Sequence, residues 1–486
     1  MKRNHLFYII ALVLFAYSCS KEPNDEPSPQ PKPEPPKPSE NDLTFPKKEM
    51  RAVWITTAWG LDWPRRDYSS ESQKAQYIKY LDKFSQLNIN AVFFQVKPMG
   101  DAFYESPYEP WSAYITGVRG QKPNYDVLKF MIDEAHKRDI QFHAWMNPYR
   151  IATRSNSSVA YPPLHSSIKS EWVVNHEKIQ IYNPAIPEIV TRLTDIVKDL
   201  ITKYDVDGVH FDDYFYPDPS SAGTMVSDKA DFEKYGSGYS TVEAFRRDNV
   251  NKAIKTVSDM IVSTKPHIVF SVSPAPNEDY NLNILFADVK KWCQEGWIDI
   301  VIPQLYQEIG NPYNDFQNRL TWWSQYNYKA ALMVGHGYYK FGDSQYPSAF
   351  QSTDELERQF NLTKRNQKVV GNVMYRAEHV LLNKIGITDK LASLYEKPAL
   401  MPFIGRKIIS APKEPTNVKI EDSRLIWDSE KDVKSVVYYF ADVEKEGSIL
   451  AITNDNAIDI QATGYYCVST INKQYQESKP SRLIKK

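Results

Sequence analysis

Asp212 and Asp213 stand side by side at the end of an apolar run, 206–211, and Tyr214, Phe215 and Tyr216 follow them. Such a run reads as a buried strand, so two carboxylates at its end mark the place where core gives way to an accessible surface. Paired acids serve general acid and base catalysis, and aromatic neighbours offer flat amphipathic faces on which a sugar ring stacks. Neighbouring side chains on a strand point to opposite faces. Gly208, His210 and Asp212 therefore share one face and Val209, Phe211 and Asp213 the other, so the two aspartates are not expected to flank a scissile bond as a pair.

Seven more segments have the same texture: 51–57, 89–98, 140–149, 267–274, 298–306, 329–339 and 369–377. Near-continuous apolar runs are what parallel strands buried on both faces require. Between them, 73–87, 125–137 and 186–204 carry the apolar spacing of amphipathic helices. Eight strands alternating with helices predict an α/β fold, a (β/α)₈ TIM barrel with enlarged loops. A doubly wound sheet is disfavoured, because no Gly-rich phosphate loop follows the first strand. From about Glu414 the pattern changes to short strands and turns, which predicts a small all-β sandwich, fibronectin type III-like, over 413–486.

A barrel of this kind carries its active site at the C-terminal ends of its strands. Those ends offer Trp54, Gln95, Lys97, Asp101, His143, Asn147, Tyr149, His210, Asp212, Asp213, Tyr214, Gln304, Tyr306, Glu308, His336 and Tyr375. The small and polar residues on its face give Asp212 the inward position, and the following loop turns Asp213 in. Amide, carboxylate and aromatic groups in one cup suit a neutral polyhydroxylated ligand. Glycosidic bond cleavage uses two carboxyl groups, one as acid and one as nucleophile or base. Glu308 is the first choice for the acid, ahead of Asp101, Glu105, Glu278 and Asp279. A metal hydrolase is disfavoured, since the first strand lacks His-x-His and no Cys cluster or His-Glu-x-x-His helix occurs. Ser271 and Ser273 lack the Gly-flanked elbow of a serine hydrolase. No cofactor is expected.

The 486 residues suit a large barrel with an accessory module, and the net charge of −1 gives no electrostatic reason to expect nucleic acid. Lys2 and Arg3, an apolar stretch and the small residues before Cys19 read as a lipoprotein signal peptide, 1–19, with Cys19 as the lipidation site. Residues 20–46 are Pro-rich and polar and form an extended tether, which precedes a barrel domain over 47–405. The expectation is an outer-membrane lipoprotein of the cell envelope, exposed on the outer face. Its C-terminal β-module is the candidate contact for an envelope partner. Cys293 and Cys467 read as buried thiols rather than a disulfide.

Several blocks in order, RAVWITTAWGLDWP, INAVFFQVKPMGDAFYESPYEPWSAYITG, EAHKRDIQFHAWMNPYRI, DGVHFDDYFYP, FRRDNVN, SVSPAPN and DIVIPQLYQ, resemble the glycosyl hydrolase-like family 10 proteins of bacterial envelopes. The resemblance runs from about Arg51 to Arg376. It implies a glycoside hydrolase of a cell-wall or other amino-sugar polymer, since related division-site members cleave peptidoglycan glycans freed of stem peptides. It also implies that Asp212 and Asp213 are the family's strand-four aspartates, with Arg246 or Asn249 bracing the loop that carries Asp213. The competing reading is a glycan-binding surface lipoprotein without catalysis, and a third is a structural envelope protein.

Overall fold

The computed structural model describes residues 43–486, except 224, 226, 227, 405 and 407–409. The export signal, Cys19 and all but the last residues of the tether lie outside the described residues. Eight parallel strands close into a barrel. They are Met50–Ile55, Ala91–Lys97, Gln141–Met146, Gly208–Phe211, Val269–Val272, a sixth in two pieces at Ile300–Val301 and Gln304–Leu305, Ala331–His336 and Val369–Tyr375. The eighth strand pairs with the first, Met50 opposite Gly371 and Trp54 opposite Tyr375, which closes the ring.

Alternation along each strand divides the side chains between two cores. Ala52, Trp54, Phe93, Trp145, Ile300, Met333 and Val373 fill the barrel interior. Val53, Ile55, Val92, Phe94, Phe142 and Val209 face the surrounding helices. Burial on both sides is why the strands read as unbroken apolar runs. Inside the barrel, space is tight enough to demand glycine at 208, where a Cβ would come within 2.1 Å of the His143 ring.

The helices begin at residues suited to cap them. Ser69 accepts from the Ser72 amide to open Ser70–Gln86, Asp126 from Lys129 to open Val127–His136, and Thr241 from Ala244 to open Val242–Thr264. Pro187, whose missing N–H has no role in a first turn, starts Pro187–Lys203. Ser70–Gln86 buries Gln73, Tyr77, Tyr80, Leu81 and Phe84, the three- and four-residue spacing of one helical face.

Two features modify the plain barrel. After the third strand the chain makes a small antiparallel sheet from Arg150–Thr153, Val173–His176 and Ile179–Tyr182. After the eighth it builds two antiparallel sheets. One holds Thr416–Glu421, Arg424–Asp428 and Ala457–Asp459, and the other Lys434–Phe440, Ser448–Thr453, Tyr465–Ile471 and Ile484–Lys485. Val418, Leu425 and Trp427 from the first meet Val437, Tyr466 and Val468 from the second in a shared core. This sandwich docks on the N-terminal end of the barrel, where Tyr475 packs against the interior cluster and Lys434 pairs with Asp139. Phe45 stacks edge-on against Tyr438 at 4.8 Å, so the start of the described chain lies on the sandwich as well. Cys293 and Cys467 are both buried, one in a barrel helix and the other in the sandwich.

Candidate active site

The fourth strand stops at Phe211, so the alternation that separates neighbouring side chains ends before the aspartates. Both acids turn toward the barrel mouth. Asp212 is 3% exposed, and its carboxylate accepts from Trp145 Nε1 at 3.1 Å and Asn147 Nδ2 at 3.0 Å. Asn147 cannot flip, because its Oδ1 accepts from the Arg150 amide at 2.7 Å. Asp213 is half-buried and bonds to Gln304 at the end of the sixth strand.

Burial pushes the Asp213 carboxyl up to about 7, the charge of Asp212 adds to the rise, and Gln304 opposes it. Burial also raises Asp212, but there Arg150, Trp145 and Asn147 act against it by favouring the charged form. Both carboxyls are raised, and Asp213, which feels the Asp212 charge as well as burial, reaches the range of a group that exchanges protons near neutrality.

Below the pair, Trp54 Nε1 donates to His210 Nε2 at 3.2 Å, which leaves His210 Nδ1 to carry its proton toward Ser271 Oγ at 2.8 Å. Burial holds this imidazole well below its ordinary pKa, so it is a neutral floor of the site rather than a cation. On one side of the mouth, Tyr306 and Tyr375 stack at 5.7 Å with rings 13° apart, and Tyr339 sets its edge against both. On the other, the Arg150 guanidinium lies 4.8 Å from the Tyr214 ring and 5.6 Å from that of Trp59. Tyr214 is 45% exposed while its hydroxyl senses Asp213, whose charge is the main cause of its raised pKa. The loop beyond is braced by Arg246, which grips both Asp228 oxygens and donates to the Met225 carbonyl at 2.7 Å.

The structure therefore gathers Asp212, Asp213, Asn147, Tyr214, Gln304, Tyr306 and Tyr375 at one mouth, and places other residues expected there elsewhere. His143 lies nearer the N-terminal end, with Nε2 3.0 Å from Gln141 Oε1, beside a cavity of about 60 Å³ that Tyr475 helps to line. His336 faces outward, between Gln359 and Asn372 at 2.9 Å each. A register shift between Gln95 and Lys97 turns Lys97 under the loops, where its Nζ meets the Met99 carbonyl at 2.9 Å and Glu109 at 3.8 Å. Gln95 is 1% exposed and its Oε1 accepts from Thr56, Thr57 and Ala58, bracing the loop after the first strand. Tyr149 is buried against Phe215, and Trp54 and His210 are core. Periodicity identifies the face on which a side chain lies but not its height along the barrel, which is why these residues sort apart. Glu308 sits on the rim, accepting from Asn311 at 3.0 Å and acting on Lys340. The groups acting most strongly on Asp213 are Asp212, Gln304, its own amide and Arg150, without Glu308. Asp101 lines a neighbouring chamber.

Arg150 and Tyr339 are the site residues that the sequence reading passed over. A cation directly after the third strand's polar end, in NPYR, was the available signal for Arg150. Among the described residues no three His, Cys, Asp or Glu side chains gather as a metal-holding group.

A closed parallel barrel with two neighbouring carboxyls and an aromatic wall at its C-terminal mouth is suited to glycosidase chemistry. More particularly, the family model described as Glycosyl hydrolase-like 10 matches residues 49–371, and the chain belongs to that family. It is 35% identical over 479 residues to "Glycosyl hydrolase YngK" of Bacillus subtilis, covering 90% of this chain and 94% of that one. It is 31% identical over 416 residues to "Glycosyl hydrolase DigH" of Escherichia coli K12, covering 77% and 92%. Among solved structures, the PgaB (BpsB) glycoside hydrolase domain from Bordetella bronchiseptica aligns with 72% of this chain and 99% of its own, at 12% identity and a TM-score of 0.47.

Proposed function

We propose that this protein hydrolyses glycosidic bonds in a polymer of 2-acetamido sugars, such as peptidoglycan glycan, with Asp213 as the general acid in place of Glu308. The observation that carries the reading is the placement of two neighbouring carboxyls at the C-terminal mouth beside an aromatic wall, with burial and the Asp212 charge raising Asp213 to about 7. Asp213 would give its proton to the leaving oxygen as the C1–O bond breaks. Asp212, whose charged form Arg150, Trp145 and Asn147 favour against its burial, would stabilise the positive charge developing on the sugar.

We place Asp212 and Asp213, chain neighbours that both lie within the field of Arg150, on one side of the bond. Attack from the other side then falls to the substrate's own acetamido oxygen, a route that some glycosidases follow. Water opens the resulting ring and returns a proton to Asp213. The aromatic wall of Tyr306, Tyr375 and Tyr339 supports this reading by offering faces for sugar rings.

Digestion of peptide-free peptidoglycan glycans, compared with the same chains after N-deacetylation, tests it. Shortened products from the acetylated chains alone, and none from Asp213→Asn, are expected. Intact chains from the parent would leave the glycan-binding lipoprotein as the reading to pursue.

The signal-like N-terminus and Pro-rich segment support anchorage to the outer membrane through a lipid on Cys19, facing outward. Cys19→Ala should release the protein from the membrane fraction. The sandwich has the three-plus-four strand arrangement suited to a fibronectin type III-like module, and its outer face is where an envelope partner would bind.

A further inference from the structure

Beside the cup, behind Trp59, lies a chamber of about 610 Å³, within the size range of small-ligand sites. Trp59 is 46% exposed and holds a φ of 55°, the left-handed region that bulky residues avoid. Strain of this kind persists where the surroundings enforce it, and here Trp59 lines the chamber while the Arg150 guanidinium lies 5.6 Å from its ring. Arg150 lies against the rings of both Trp59 and Tyr214, so one side chain links the chamber wall to the mouth that holds Asp213.

The chamber wall contains hydrogen-bonding capacity that the protein does not use. Gln180 is 4% exposed, and its Nε2 donates to Asn175 at 2.8 Å while its Oε1 has no partner. Asp101 Oδ1 is buried and equally unmatched. Such acceptors call for donors, and hydroxyl groups supply them. Two cations stand with them. Arg119 donates to the carbonyls of Pro163 at 2.6 Å and Gly100 at 2.7 Å, and Arg154 to those of Glu177 at 2.7 Å and Val159 at 3.1 Å. Among the described residues, neither guanidinium joins an ion pair. Asp101, the carboxyl in this wall, has its pKa raised by burial, with Arg119 acting against the rise, and among the described residues it forms no ion pair with either guanidinium.

Hydroxyl-matched acceptors, an aromatic platform and two guanidinium groups without carboxylate partners define one kind of occupant. We propose that this chamber is a subsite for a sugar residue bearing a carboxylate, with Arg154 and Arg119 receiving the acid and Gln180 and Asp101 the hydroxyls. The proposal rests on the glycan reading of the adjacent cup. Two sources share this chemistry: a uronic acid, and an amino sugar with an ether-linked carboxyl group.

The test is calorimetric binding to the full chain carrying Asp212→Asn, which keeps ligands intact. Two probes are used, an oligouronate and a peptide-free muramyl-containing glycan, each beside its carboxyl-reduced counterpart. At least one acid should bind about tenfold more tightly than its reduced form, as a charge-assisted pair warrants. The gap should shrink with added salt, close in Arg154→Gln and persist in Arg154→Lys. The probe showing the gap identifies the source. Equal affinity of acid and reduced forms for both probes would overturn the carboxylate subsite while leaving the glycan reading in place. Absence of binding by all four would overturn both.

Discussion

The two ends of the barrel receive the same kinds of side chain and treat them in opposite ways. At the N-terminal end Asp207 accepts from the Phe142 amide at 2.7 Å and meets His136 Nε2 at 2.8 Å, and the sandwich covers the neighbouring interior with Tyr475. At the C-terminal end, on the far side of the same strand, Asp213 feels the Asp212 carboxyl more strongly than the Arg150 cation. Opposite charges brought together lock a fold in place. Like charges brought together move a pKa toward neutrality, which is useful only to a group that must trade protons. The location of the strained groups, more than the composition of either end, distinguishes the working mouth from the structural floor.

The largest effect that sharpens this contrast is Asp213→Asn, expected to lower kcat by about 10³-fold, the scale of a lost general acid, with the fold intact. Glycan turnover and thermal melting, measured together, check it. The same group fixes a pH limb: kcat should fall roughly tenfold per unit above a pH of about 7, as the acid loses its proton.

Asp213 also carries a stability signature. Its folded pKa lies above its unfolded one, so the folded state holds the extra proton between about pH 4 and 7, and stability is lost as pH rises through that window. Asp213→Asn should therefore melt higher than the parent above pH 7 and level with it near pH 4. A melting difference that did not change with pH would break the comparison.

Asn147→Ala is a middle-sized effect. It removes one of the donors favouring the charged form of Asp212 and should cost about 1.5–3 kcal/mol of transition-state stabilisation, seen as a fall of tens-fold in kcat with little change in KM.

The smallest change is expected at the opposite end. His136 has its pKa raised by the bond to Asp207, so the stability it contributes is complete below about 6.5 and is lost as pH rises through the higher folded value. His136→Gln should flatten the melting curve against pH in that range and leave kcat unchanged. A loss of turnover in this variant would mean that the two ends are not independent.

Much of this was legible beforehand, for definite reasons. Eight apolar runs appear as eight barrel strands, because burial on both faces leaves a signal that needs no tertiary knowledge. The position of Asp212 followed from parity with Gly208, whose hydrogen side chain the His143 ring requires. Asp213 turns in after the strand ends at Phe211, whereas Lys97, expected in the cup, leaves it through a register shift. His336 was assigned to the cup from its place near a strand terminus, yet it points into the helical layer. The small sheet beginning at Arg150, which delivers that guanidinium to the carboxyl pair, lay within a segment read only as an enlarged loop. Whether an antiparallel insertion forms depends on pairing partners distant in sequence, and local spacing does not record those.

The seam between the first and eighth strands adds a mechanical consequence. At the catalytic end it is tied by Arg376, which pairs with Asp62, while Asp62 also accepts from the Thr56 amide at 2.9 Å and the Glu378 amide at 3.0 Å. At the other end it is tied by the Glu49 amide to the Leu400 carbonyl at 2.9 Å and by the packing of Phe45 on Tyr438. A pull on the N-terminal arm would enter through Phe45 and Glu49, at the end of the seam away from the Asp62 latch. The molecule is built like a tool gripped by its handle, with the load borne at the closed end and the geometry of Asp212 and Asp213 the last thing a pull would disturb.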